Sequence, residues 1–326
     1  MVSDGMTRPP GKIILLCCLI ASAALTALIT YFLSRVPAGG TAIRGQGPES
    51  HKAKFATPST GGRAFLATLF LVGFPGALLM MDPRAIVGIT AGLLTGLIGL
   101  ADDMLKVSRK SSSGLKARFK LPLQIVVGLL ATGVVCWYLR DGTVRIPFMH
   151  ESFDIGQWKI VLGLFCYLAI INAVNFTDGL DGLASSTVLV AALCLGGAIW
   201  KSVDDGSALV PVVLIGMCAG FLPFNRHPAK IFMGDSGSLA LSGALVAAAI
   251  ATGLEIVLLI IGLVFIIEIT SVVMQVVYFR LTGGKRIFRM TPIHHAWELR
   301  GYKEPAIVAS AVAIGAISGA IGWWSA

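Results

Sequence analysis

Apolar runs of membrane-spanning length recur ten times along the chain, at 13–32, 64–81, 85–101, 121–139, 160–175, 183–200, 208–222, 237–252, 255–279 and 305–324. Wound as helices, such runs can cross a hydrocarbon layer ~30 Å thick. The fifth and seventh are the shortest. The polar stretches between the runs reach only about 20–30 residues, too short for a separate soluble domain. The pattern predicts an all-α, polytopic integral membrane protein of about ten transmembrane helices, forming one domain over residues 1–326.

Strongly polar clusters fall between alternate pairs of runs: Asp102-Asp103, Asn172 through Asp181, Asn225 through Asp235, and His294-His295. If each run crosses once, all four lie on one side. A pore would spread polar groups along its spans. A catalyst taking one substrate from water and another from lipid would gather them at one face.

Composition supports this class, with 56% hydrophobic and 13% charged residues. The loops after the odd-numbered spans carry 19 of the 26 Lys and Arg. The positive-inside bias therefore places those loops, and the polar clusters, in the cytoplasm and both termini outside. The net charge of +9 is mostly this bias, and no basic stripe with interleaved aromatics points to nucleic acid. The first apolar run is too long for the core of a cleaved signal peptide. The six cysteines all sit in apolar runs without a C-x-x-C pair, which suggests neither a zinc site nor a disulfide framework.

Within the spans, Gly88, Gly92 and Gly96 form a stripe suited to close helix packing, repeated by Gly315 and Gly319. Asp103 continues the first stripe. The ninth span is about 25 residues long, so it must tilt, bend or protrude, and it carries Glu268 near its middle. An intramembrane carboxylate is either a functional group or a hydrogen-bonded structural one. No internal repeat is visible.

Four constellations carry the chemistry. Asp102-Asp103 are adjacent carboxylates, tolerated where they share a cation, metal or proton, with Lys106 one turn on. Asn172, Asn175, Asp178 and Asp181 recur every three residues, and Gly179 and Gly182 let the backbone leave the helix there. Pro223 through Ser238 contains Asn225, Phe232 and Asp235. Asp235 opens a span whose N-terminus suits a phosphate, and is itself a candidate magnesium ligand or a simple helix cap; Phe232 is a candidate base-stacking residue. Lys285 through Glu298 alternates basic and apolar residues as a surface-lying segment would, and ends in His294, His295 and Glu298. Adjacent histidines diverge on a helix, which favours phosphate contact over zinc. Together these carboxylates and basic groups describe a magnesium–diphosphate site.

These residues resemble the phospho-N-acetylmuramoyl-pentapeptide transferases, or translocases I, within the polyprenyl-phosphate N-acetylhexosamine-1-phosphate transferase superfamily. The matching stretches are Gly47-Pro48-Glu49-Ser50-His51-x-x-Lys54, Thr57-Pro58, Gly61-Gly62, Asp102-Asp103-x-x-Lys106, Gly114-Leu115-x-x-Arg118-x-Lys120, Asn172 through Leu183, Phe232 through Leu239, and Pro292-Ile293-His294-His295. The first and last favour the muramyl branch. The resemblance implies ten helices, a cytoplasmic cleft, a magnesium requirement, a homodimer and a place in the bacterial cytoplasmic membrane. It implies attack by undecaprenyl phosphate on the β-phosphate of UDP-N-acetylmuramoyl-pentapeptide, giving lipid I and UMP.

The chain departs from the family pattern where Ala296 replaces a third histidine and Trp297 the usual Phe. Ala56 stands where Gly is usual, and Ser59-Thr60 where Thr-Met is usual. On this reading Asp235 is the metal ligand, and Asp102 or Asp103 is a base, an orienter or a covalent nucleophile. Lys106, Lys120 and His295 offset charge on the diphosphate. Lys54, Asn172, Asn175, Asp178, Asp181, Asn225, Phe232 and His294 complete the substrate site. The rivals are a UDP-N-acetylglucosamine transferase of the same superfamily and a lipid or nucleotide-sugar transporter.

Overall fold

The computed structural model describes residues 11–36, 57–109, 114–149, 151–204 and 206–326. Lys54 and the stretch 47–54 lie outside the described residues. The helices are α1 Gly11–Leu33, α2 Gly62–Met80, α3 Pro83–Ser108, α4 Ala117–Tyr138, α5 Trp158–Thr177, α6 Leu183–Ser202, α7 Leu209–Asn225, α8 Gly234–Ala251, α9 Glu255–Ile261, α10 Leu263–Leu281, α11 Ile293–Glu298 and α12 Glu304–Ser325. Among the described residues nine of these are long and apolar enough to cross a membrane, and α7 is a shorter apolar helix. The chain is an all-α, multi-pass membrane protein. Its described strands are one hairpin, β1 Thr143–Arg145 with β2 Ser152–Asp154, between α4 and α5.

The ninth predicted span is not one helix. It breaks at Gly262 into the short α9 and the longer α10. Of the tilt, bend or protrusion open to an overlong apolar run, the chain takes the bend.

Helix α8 is the centre of the bundle. Every residue from Ser236 to Ala251 is buried, and most are Gly, Ala or Ser. Lipid supplies no hydrophobic drive between helices, so close approach of small residues does the packing. The predicted stripe on α3 meets that requirement. A Cβ on Gly92 would come 2.7 Å from Ala244 Cβ, one on Gly96 2.8 Å from Ala240 Cβ, and one on Gly88 2.8 Å from Val210. The stripe seats α3 against α8 and α7, which brings Asp102 and Asp103 to the N-terminus of α8.

Candidate functional site

The α3–α8 junction sets the site. Gly99 lies directly against the backbone of Asp235, where any side chain would collide. Gly234 has φ +67°, a left-handed conformation that costs glycine little, and a Cβ there would stand 2.7 Å from Asp103 Oδ2. That turn aims the first amides of α8 at Asp103. Its Oδ1 accepts from Asp235 N at 3.2 Å and its Oδ2 from Ser236 N at 2.9 Å. The helix N-terminus expected to hold a phosphate thus already holds a carboxylate.

Asp102 is buried, and its Oδ1 accepts from Leu115 N at 2.6 Å. Its Oδ2 is buried and receives no directed hydrogen bond, although Lys106 Nζ is 2.5 Å away. That ammonium also lies 2.9 Å from Asp235 Oδ1 and 3.5 Å from Asp103 Oδ1. Lys120, at the start of α4, pairs with the other oxygen of Asp235. One oxygen from each of Asp102, Asp103 and Asp235 lies within 4.8 Å of the others.

Asp178, just past the end of α5, feels the same field. Burial, then the charges of Asp235 and Asp103, push its carboxyl up to about 8. Three carboxylates, Asp102, Asp103 and Asp235, therefore face two ammonium groups, with the largely neutral Asp178 carboxyl beside them. These oxygen donors lie close enough together to hold a metal ion. The Lys106 ammonium occupies the position among the three carboxylates.

The other predicted residues divide. His294 and His295 crowd Gly179, so the Asn172–Leu183 and Pro292–Glu298 segments meet. His294 is buried, with Nδ1 3.0 Å from Glu268 Oε2 and Nε2 without a hydrogen-bond partner. His295 Nδ1 lies 2.7 Å from Glu298 Oε2. Phe232 is held by its backbone, its N–H donating to Pro58 O and its O accepting from Gly61 N.

Three amides brace helices. Asn172 Nδ2 donates to Gln124 Oε1 and Leu168 O, and Asn175 Nδ2 to Ser238 Oγ. Asn225 is buried between Ser185 and the carbonyl of Ile231. Since α5 remains α-helical to Thr177, the three-residue period fans out rather than forming one row. Asp181 lies in a separate group, buried except for the exposed His227. Its Oδ2 meets His227 Nδ1 at 3.0 Å and Ala229 N at 3.1 Å, and its N–H donates to Glu304 Oε2 at 3.3 Å. His227 and Glu304 were not predicted as site residues. His227 at least lies inside a predicted motif, whereas no local pattern marks Glu304.

The family model for glycosyl transferase family 4 matches residues 85–253, which hold all four clustered carboxylates. The chain is 42% identical over 291 residues to the phospho-N-acetylmuramoyl-pentapeptide-transferase of Bacillus pumilus, covering 89% of each chain. It is 40% identical to that of Bacillus subtilis over 305 residues, 93% of this chain and 94% of the relative. The Desulforamulus reducens protein of the same name is 43% identical over 279 residues, 82% of each chain. The chain belongs to the phospho-N-acetylmuramoyl-pentapeptide-transferase family. As a member of that family it is a membrane-embedded transferase, and the α3–α8 carboxylates lie in the segment that the family model spans.

Proposed function

We propose that the chain transfers phospho-N-acetylmuramoyl-pentapeptide from UDP-N-acetylmuramoyl-pentapeptide to undecaprenyl phosphate, giving lipid I and UMP. The observation that carries this reading is the grouping of Asp102, Asp103 and Asp235 around the Lys106 ammonium, with Lys120 beside it. An oxygen of the lipid phosphate forms a bond to the β-phosphorus. The bond from that phosphorus to the bridging oxygen breaks, and UMP leaves with the electron pair.

The site is proposed to hold Mg²⁺ through Asp235, with Asp102 and Asp103 adjacent. A bound magnesium ion would offset diphosphate charge and polarise its phosphoryl oxygens. Lys106 and Lys120, beside the same carboxylates, would pair with the phosphates. Asp103 spends both oxygens on backbone amides, which makes it an orienting group. Asp102 keeps an oxygen whose partner is the Lys106 ammonium, and once that ammonium pairs with phosphate this oxygen is the acceptor for a proton from the lipid phosphate. His295 sits beside Gly179 as a further phosphate donor. Most of the rate comes from alignment and electrostatics.

Charge bias supports a cytoplasmic site, with the nucleotide arriving from water and the acceptor from the bilayer. UMP release by the purified protein tests the reading. Release should require both undecaprenyl phosphate and magnesium, and UDP-N-acetylglucosamine should not replace the muramyl donor. Release from UDP-N-acetylglucosamine alone would assign the chain to the rival branch.

A further inference from the structure

At the end of the bundle opposite the carboxylates, basic side chains are few and mostly engaged. Arg84 reaches Asp141 at 3.2 Å and Asp204 at 3.5 Å. Arg145 Nη2 donates to the carbonyl of Ser202 at 2.7 Å, and the buried Lys159 to that of Thr143 at 2.8 Å. Lys12 and Lys201 differ. Neither has a carboxylate partner among the described residues. Lys12 Nζ stands 5.7 Å from the ring centroid of Trp200, the residue next to Lys201. Lys201 Nζ makes a long bond of 3.4 Å to the carbonyl of Trp324. One ammonium thus borders the Trp200 ring, and the other reaches the end of α12.

Trp200 and Lys201 also edge a crevice of about 440 Å³ between α6, α7 and the end of α12. Leu193, Val212, Ile215 and Trp323 give it apolar walls. Gly197 lets the Trp323 indole close one side, since a Cβ there would come 3.1 Å from the ring. Trp200 and Trp323 remain 47% and 46% exposed. An apolar slot on a membrane-spanning surface suits an acyl chain. Indoles and ammonium groups at its mouth suit the interface and a phosphate.

We propose that this crevice binds one anionic phospholipid. An acyl chain lies along the α6–α7 slot, and the headgroup phosphate is held between Lys12 and Lys201. The charge asymmetry selects the occupant. A zwitterionic lipid fills the same slot but gains less from two cations, and a second copy of this chain would bring the same positive charge. Each lysine is expected to contribute roughly fivefold to the preference for an anionic over a zwitterionic lipid.

The test uses the full chain in phosphatidylcholine vesicles containing a minor fraction of either brominated phosphatidylglycerol or brominated phosphatidylcholine. Tryptophan quenching should be stronger with the brominated phosphatidylglycerol, and Trp323→Phe should remove the excess. The double variant Lys12→Gln/Lys201→Gln should quench equally with both lipids while still releasing UMP, which shows that it is folded. Equal quenching in the unaltered chain would mean ordinary surrounding lipid and would overturn the proposal. So would a preference that survives the double variant. Weak quenching by both lipids, together with an oligomeric state changed by Lys201→Gln, would assign the face to a second copy and overturn it as well.

Discussion

Glu268 and His294 meet inside the bundle, with Glu268 Oε2 3.0 Å from His294 Nδ1 and both side chains nearly sealed from solvent. The intramembrane carboxylate is therefore hydrogen-bonded, and its partner stands at the polar site. A bond at Nδ1 fixes the imidazole's orientation and leaves Nε2 against Gly179.

Glu268 should thus behave as a positioning residue. Glu268→Gln keeps an oxygen for the imidazole, whereas Glu268→Ala leaves a buried ring nitrogen unpaired. UMP release should fall in the order wild type, Gln, Ala, with the alanine variant slower by roughly tenfold, the scale of one lost hydrogen bond to a charged group. Equal activity in all three would remove Glu268 from the mechanism.

Asp235→Asn should nearly abolish turnover at every magnesium concentration. An amide is a poor magnesium ligand, and the change also removes the carboxylate that Lys106 and Lys120 share. A magnesium titration of UMP release checks this. Recovery of full rate at high magnesium would mean that Asp235 tunes affinity only.

The apolar spacing made nine of the ten predicted spans legible, because each helix must be apolar across the bilayer whatever its neighbours are. The Gly88–Gly96 stripe was legible for the same reason, as periodicity survives without knowledge of the partner. The break at Gly262 was not, since hydropathy runs through it unchanged. Nor were the contacts of Asp181 with His227 and Glu304, which bridge 46 and 123 positions. Asn225 reads in sequence as a ligand, yet both ends of its amide are spent, Nδ2 donating to Ile231 O across the 225–231 turn and Oδ1 accepting from Ser185 Oγ on α6. Sequence gives the donors, but only packing decides which donors are already spent.

The orientation has a test independent of activity. After replacement of the native cysteines, a cysteine at Ser108, exposed at the carboxylate end of α3, should react with an impermeant thiol reagent only in opened cells. One at Ser152, exposed on β2, should react in intact cells. The reverse pattern would place the site outside the cytoplasm.

Asp141, in the loop after α4, predicts an acid limit. Burial alone would raise its carboxyl. The Thr143 hydroxyl and amide at 2.5 and 3.0 Å, Lys159 at 3.8 Å and Arg84 at 3.2 Å outweigh that and hold it below the ordinary aspartate value. A depressed carboxylate stabilises the fold fully above its unfolded pKa of ~3.9 and loses that contribution as pH falls through the folded value. The melting temperature in detergent should therefore drop below about pH 4. Asp141→Asn should flatten that drop and cost on the order of 2 kcal/mol at neutral pH. An unchanged acid profile would show that the loop contributes nothing there.

The last prediction concerns the position where the family pattern has a third histidine. On α11, His295 Nδ1 is anchored to Glu298 at 2.7 Å and the ring abuts Gly179, whereas Ala296 is buried. The anchored imidazole is placed to serve phosphate oxygens, and its neighbour has room for a methyl group. His295→Ala should cut kcat by ~10–10³-fold, the scale of one lost electrostatic donor. Ala296→His must fit an imidazole into a filled position. It should lower stability by roughly 1–3 kcal/mol and change the rate only modestly. A rate raised by orders of magnitude in Ala296→His would mean that the third histidine is a working part whose absence cripples this chain, and that His295 alone does not complete the site.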